Sequence, residues 1–243
     1  ADGFALSGQA FADDLADWAK IAPHLYLWDY TTNFSNYLQP FPNWHVIGEN
    51  LRLFRRLGVE GVLEQGNYSP GKTSAFAPLR IYLLSRLLWN TDADTDGLIR
   101  SFVRGYYGPE AEPGVLQCLS LMENAASQTH MGIYDMPDAA YLDEGLIEQA
   151  DGCLADALSL TADPLRRERL ERERLSFEYV QLARLPMDAP GRSERIDAFA
   201  GELARLGVTE LFERGELAGS IQCMKESRCA RRRENVPYGC YRL

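Results

Sequence analysis

The sequence predicts an α/β chain that is mostly helical by content, and three observations predict it. Two short β-rich runs, His24–Tyr30 and Val59–Glu64, each give way to a loop and then to a stretch of helical period. Beyond Asn90 the apolar spacing is helical almost throughout. Strands that alternate with helices are the repeating unit of a parallel sheet or barrel.

The elements follow in order. Phe11 to Lys20 reads as a helix with Leu15, Trp18 and Ala19 turned inward, and Pro23 interrupts it. The first strand follows and carries Asp29 near its end. Thr31 to Trp44 is a long connection in which Pro40 and Pro42 forbid a regular ladder. Val46 to Leu57 spaces Ile47, Leu51 and Phe54 along one helical face, and Gly58 sits where a left-handed cap is wanted. The second strand closes on Glu64, and Asn67, Pro70 and Gly71 break the pattern. A helix from about Ala75 to Trp89 then lines up Phe76, Leu79, Leu83 and Leu87.

Further helices are expected over 94–107 with Leu98, Phe102 and Tyr106 inward, and over 115–129, 143–160, 164–185 and 192–206. The mixed charges of Arg166 to Arg174 read as a solvated face with pairs four residues apart. A (β/α)8 barrel takes about 250 residues and eight strands. Two convincing strands supply at most the last few of one. The organisation expected is therefore 1–108 as the C-terminal part of a barrel and 109–243 as an α-helical region.

Composition bounds the function. The 243 residues carry a net charge of −10 with 46% hydrophobic residues, the balance of a globular chain with a sizeable core. An acidic chain is a poor electrostatic match for nucleic acid. No run approaches the roughly 20 apolar residues of a membrane span. The chain opens on Ala1-Asp2-Gly3 without an initiator Met, so it is expected to be a processed product or fragment. Five cysteines without a CxxC pair, beside three histidines, make a metal site unexpected, and nothing points to a cofactor. Cys118 and Cys153 fall in helical patterns as buried thiols, whereas Cys223, Cys229 and Cys240 crowd the end and leave their disulfide state open. Phosphate-loop, dinucleotide, nucleophile-elbow and HExxH motifs are absent from the sequence.

The chemistry concentrates past the two strands, where parallel α/β folds hold their ligands. Tyr26, Trp28, Tyr30, Phe34, Tyr37, Phe41 and Trp44 interleave with Asp29, Asn33, Asn36, Gln39 and Asn43. Rings beside amides and carboxylates suit a sugar, whose C–H faces stack while its hydroxyls need directional partners. The plainer alternative is that the rings pack a core. Glu64 follows an apolar run, so partial desolvation raises its pKa and suits a general acid, unless it merely caps a helix or pairs with Arg. Asp29 and Glu64 hold equivalent strand-end positions and are expected to face one pocket, which is how two carboxyl groups cleave a glycosidic bond.

Leu25-Tyr26-Leu27-Trp28-Asp29-Tyr30-Thr31-Thr32-Asn33-Phe34, Tyr37 to Asn43, Gly61 to Tyr68, Leu79 to Asn90 and Phe102 to Gly108 resemble, in order, the blocks of the bacterial domain-of-unknown-function family 4838 (DUF4838). That family overlaps glycoside hydrolase family 163, characterised as endo-β-N-acetylglucosaminidases of complex N-glycans. The resemblance implies a secreted, periplasmic or cell-surface bacterial hydrolase with a TIM-like barrel. It implies a glycan substrate and an N-terminal barrel segment that has no counterpart in this chain. It carries over Glu64 and Asp29 as the catalytic candidates. Trp28, Tyr30, Asn43, Gln65 and Tyr68 carry over as substrate-binding candidates. The chain departs from the pattern at Thr73-Ser74-Ala75, where family members often hold an acid. The rival reading is a non-catalytic carbohydrate-binding or helical interaction domain that uses the same aromatics.

Overall fold

The computed structural model describes residues 2–68 and 72–227, with side chains from Phe11 onward. Among these residues the order is α1 (Asp2–Ile21), β1 (Tyr26–Tyr30), α2 (Trp44–Arg56), β2 (Gly61–Gln65), α3 (Ala77–Trp89) and α4 (Thr95–Tyr106). Five more helices follow: α5 (Glu112–Ala126), α6 (Glu144–Leu160), α7 (Pro164–Arg184), α8 (Arg192–Arg205) and α9 (Leu217–Glu226). The chain is thus mostly helical, with one parallel two-stranded sheet.

β1 and β2 pair from Tyr26 opposite Gly61 to Tyr30 opposite Gln65, so α2 is the crossover of a single βαβ unit. Side chains alternate across the sheet. Leu27 and Val62 point into the core under the helices, whereas Tyr26, Trp28, Tyr30 and Leu63 are exposed on the other face. That open face is the uncovered apolar surface expected of a two-strand sheet.

One continuous cluster of buried residues runs from Leu15 through Trp44, Leu83, Val103, Met122, Leu154 and Phe177 to Met224. It passes the sequence-read boundary at Gly108 without a gap. Hydrogen bonds cross it as well: Tyr107 Oη donates to Glu173 Oε1 at 2.9 Å, and Phe34 N donates to the Ile133 carbonyl at 2.8 Å.

Several local expectations are corrected. Trp18 lies 59% exposed; among the described side chains of that helix, Leu15 is the one that is buried in the core. In α4 the inner face is Thr95, Ile99 and Val103, with Leu98, Phe102 and Tyr106 at its margin. The charged start of α7 is not wholly solvated, since Leu170, Arg172 and Glu173 are buried. Its pairs run partly within the helix (Arg172 to Glu168) and partly to other helices (Arg174 to Asp151, and Glu171 to Arg205). α9 was not expected from the sequence. Cys118 and Cys153 are free thiols on the facing helices α5 and α6, and Cys223 is also free. Cys229, Cys240 and the basic run Arg231 to Arg233 lie outside the described residues.

Candidate functional site: a carboxylate pair at the strand ends

Asp29 and Glu64 are register partners across the sheet, so both side chains project from the same, helix-covered face. Neither is fully buried, and no cation pairs with either among the described residues. Desolvation raises both pKa values. For Glu64 burial acts together with the neighbouring Asp29 charge and pushes the pKa up to about 7. For Asp29 the rise from burial is opposed by the Tyr30 N–H, which donates to Oδ1 at 2.7 Å and favours the anion. Near neutrality Glu64 is therefore about half protonated, beside the Asp29 carboxyl.

The other candidates divide by face. Trp28 stands on the open side, 63% exposed, and its Nε1 donates to Gln65 Oε1 at 2.8 Å. Tyr30, also on that side, meets Phe34 edge to face with ring centroids 5.6 Å apart. The sheet thus separates Trp28, Tyr30 and Gln65 from the two acids, and the two faces converge only past the strand ends. There Thr31 N and Oγ1 donate to the Gln65 carbonyl at 2.9 and 3.0 Å. Tyr68 is exposed, with the Arg214 guanidinium 5.5 Å from its ring centroid.

Asn43 is buried, and both ends of its amide are engaged: Nδ2 donates to the Thr31 carbonyl at 3.2 Å and Oδ1 accepts from Arg80 Nε at 3.1 Å. It braces the loop through both ends of its amide. The remaining interleaved residues are core. Phe34, Tyr37, Phe41 and Trp44 are buried. Asn33 and Asn36 tie the loop to the Asp135 carbonyl, and Gln39 donates to Tyr141 Oη. For these positions the packing alternative holds.

Sequence reasoning missed a buried ionic group behind the site. Arg80 and Glu173 are buried, and burial lowers the Arg80 pKa to about 10 and raises that of Glu173 to about 7. Beside them Ala75 and Phe76 both adopt φ of 55°, a left-handed conformation costing about 1–3 kcal/mol per residue. The signal was present in the spacing: Leu170, Glu173, Phe177 and Val180 share one apolar helical face, and an acid in such a register demands a partner.

Two hollows lie elsewhere. One of about 460 Å³ sits at the opposite end of the sheet, lined by Phe54, Arg55, Glu60, Trp89 and Asp92. Another of about 480 Å³ runs between α6, α7 and α8. Neither includes Asp29 or Glu64. Among the described residues no cluster of His, Cys, Asp and Glu could hold a metal ion, and no helix is long and apolar enough to cross a membrane.

Fold and site together define a helix-rich chain built on one parallel βαβ unit with an unpaired carboxylate couple at its strand ends. Residues 3–120 match the family described as Domain of unknown function (DUF4838), and this part of the chain belongs to that family. The match reaches beyond the sequence blocks on both sides, taking in α1 and the first half of α5. No curated protein and no solved structure matches the chain.

Proposed function

We propose that the chain is part of a glycoside hydrolase in which Glu64 is the acid/base and Asp29 the ionised partner. The observation that carries this reading is the direct register of Asp29 with Glu64, unpaired by any described cation, with burial and the Asp29 charge raising the Glu64 pKa to about 7. Two carboxyl groups with protonation states pushed apart are what glycosidic cleavage needs. Neighbouring strands lie about 4.8 Å apart. Carboxyl groups borne directly opposite each other then suit the retaining spacing of about 5–5.5 Å better than the inverting spacing of about 6.5–9.5 Å.

In the reaction Glu64 gives its proton to the departing glycosidic oxygen while Asp29 attacks the anomeric carbon and forms a glycosyl ester. Glu64 then takes a proton from water, and the resulting hydroxide displaces Asp29. The family resemblance supplies the substrate class, glycans containing N-acetylglucosamine, and a bacterial secreted or surface setting. On this reading the βαβ unit is the C-terminal part of a (β/α) barrel. Preceding strands would hydrogen-bond to the free edges of the sheet, with the open face of Tyr26, Trp28, Tyr30 and Leu63 turned toward the barrel interior.

One observation favours a second reading: the exposed rings and Gln65 lie across the sheet from the acids, as in a binding platform without cleavage. A complex N-glycan assay of the protein with its complete barrel separates the two. Glu64→Gln should lower turnover at least about a hundredfold with binding retained. Glycan binding without release of any reducing end, before or after the substitution, would leave only the platform.

A further inference from the structure

The helical half contributes more than packing to the strand ends. Glu173 on α7 accepts the Phe76 N–H at Oε2 (2.7 Å) and the Tyr107 hydroxyl at Oε1 (2.9 Å). One turn along, Ser176 Oγ accepts the Ala75 N–H at 2.8 Å. The two residues that α7 grips in this way are the left-handed pair Ala75 and Phe76. A turn of that kind between non-glycine residues persists only where its surroundings over-determine it.

From this turn the connection continues through one side chain. Arg80 Nη2 donates to the Ala75 carbonyl at 3.3 Å and to the Phe41 carbonyl at 2.9 Å, and its Nε donates to Asn43. Asn43 in turn holds the Thr31 carbonyl, and Thr31 holds the carbonyl of Gln65. Thr31 lies two residues after Asp29, and Gln65 directly follows Glu64. An unbroken run of hydrogen bonds thus leads from α7 to the chain segment behind each acid.

We propose that Glu173 is a positioning residue for the Asp29–Glu64 pair, setting the separation of the two carboxyl groups through the Ala75–Phe76 turn, Arg80 and Asn43. This rests on the reading of that pair as the working site. It assigns the helical region a part in the chemistry, from a residue that never meets substrate. Ser176 shares the grip, and its removal acts in the same direction.

The test follows the side-chain carboxyl carbon of Glu64 by NMR titration of the full chain, assigned by its loss in Glu64→Gln. If α7 sets the separation of the acids, Glu173→Ala and Ser176→Ala move the Glu64 midpoint by at least about half a unit. Glu173→Gln keeps an acceptor for the Phe76 N–H and recovers part of that shift. Leu154→Ala on α6, with a comparable loss of Tm, leaves the midpoint in place. An unchanged midpoint in Ser176→Ala together with either Glu173 variant overturns the proposal, as does an equal shift in Leu154→Ala. Hydrolysis is not the readout: a shifted midpoint without glycan cleavage sinks the proposed function alone, and cleavage with an unshifted midpoint sinks the positioning role alone.

Discussion

Replacing Glu64 by Gln should stabilise the protein in alkaline solution and change little in acid. Folding raises the Glu64 pKa from 4.5 to about 7 by burial and by the Asp29 charge. A raised carboxyl pKa means that the folded state binds the proton more tightly than the unfolded one. Stability therefore falls as pH rises between the two values, the penalty being absent below 4.5 and complete above about 7. Holding the proton up to about pH 7 instead of 4.5 corresponds to about 3.4 kcal/mol. Glu64 is partly open to solvent, and screening reduces this to about 1–2 kcal/mol. For a chain of this size that is a rise in Tm of roughly 3–6 °C at pH 8. Thermal unfolding of the wild type and Glu64→Gln from pH 4 to 8.5 at fixed ionic strength measures it. Asp29→Asn should recover part of the same gain by lowering the Glu64 midpoint. Equal Tm differences at pH 4.5 and pH 8, or a loss of stability at pH 8, would refute the coupled, desolvated pair.

Other outcomes follow from features away from the acids. His45 lies between Glu123 Oε2 and Asp96 Oδ1, joining α2, α5 and α4, and Glu123 chiefly raises its pKa to about 9. Its contribution is complete below the ordinary pKa of 6.5 and is lost as pH rises through about 9. His45→Gln should cost about 1–2 kcal/mol at pH 6, allowing for a side chain 41% exposed, and little at pH 9.5, as read by urea unfolding. A Cβ on Gly114 would come within 2.7 Å of the Cys153 carbonyl and 3.1 Å of Ala157 Cβ, whereas one on Gly105 meets nothing within 4 Å. Gly114→Ala should thus lower stability by about 1–3 kcal/mol despite better helix propensity, while Gly105→Ala raises it by about 0.5–1 kcal/mol. Opposite signs in paired melts check the α5–α6 contact.

Much of the fold is legible in the sequence because apolar spacing is a local property. Ile47, Leu51 and Phe54 announce α2, and Leu79, Leu83 and Leu87 announce α3, from their own spacing alone. α4 was read one residue out of phase because Leu98 adjoins Ile99 and Phe102 adjoins Val103. Two apolar sets one step apart carry the same period. The acids of the site were legible because they end β-rich runs. What escaped was everything decided by distant partners. The loop after β1 reads equally as a ligand-facing or a packed aromatic stretch, and only partners about a hundred residues along the chain or more decide it: Phe34, Asn36 and Gln39 are buried against Ile133, Tyr179 and Tyr141. Glu173 likewise looks like one more charge in Arg166 to Arg174 until the turn at Phe76 is seen beside it.

The family match stops at residue 120, in the middle of α5, while the buried cluster continues through that helix to α9. The matched segment and the buried core therefore have different borders in this molecule. A fragment cut at residue 120 would leave Leu119 facing water and sever Met122 from its companions. Experiments that swap this segment between relatives need to carry α6 and α7 with it, since α5 packs on α6 and α6 on α7.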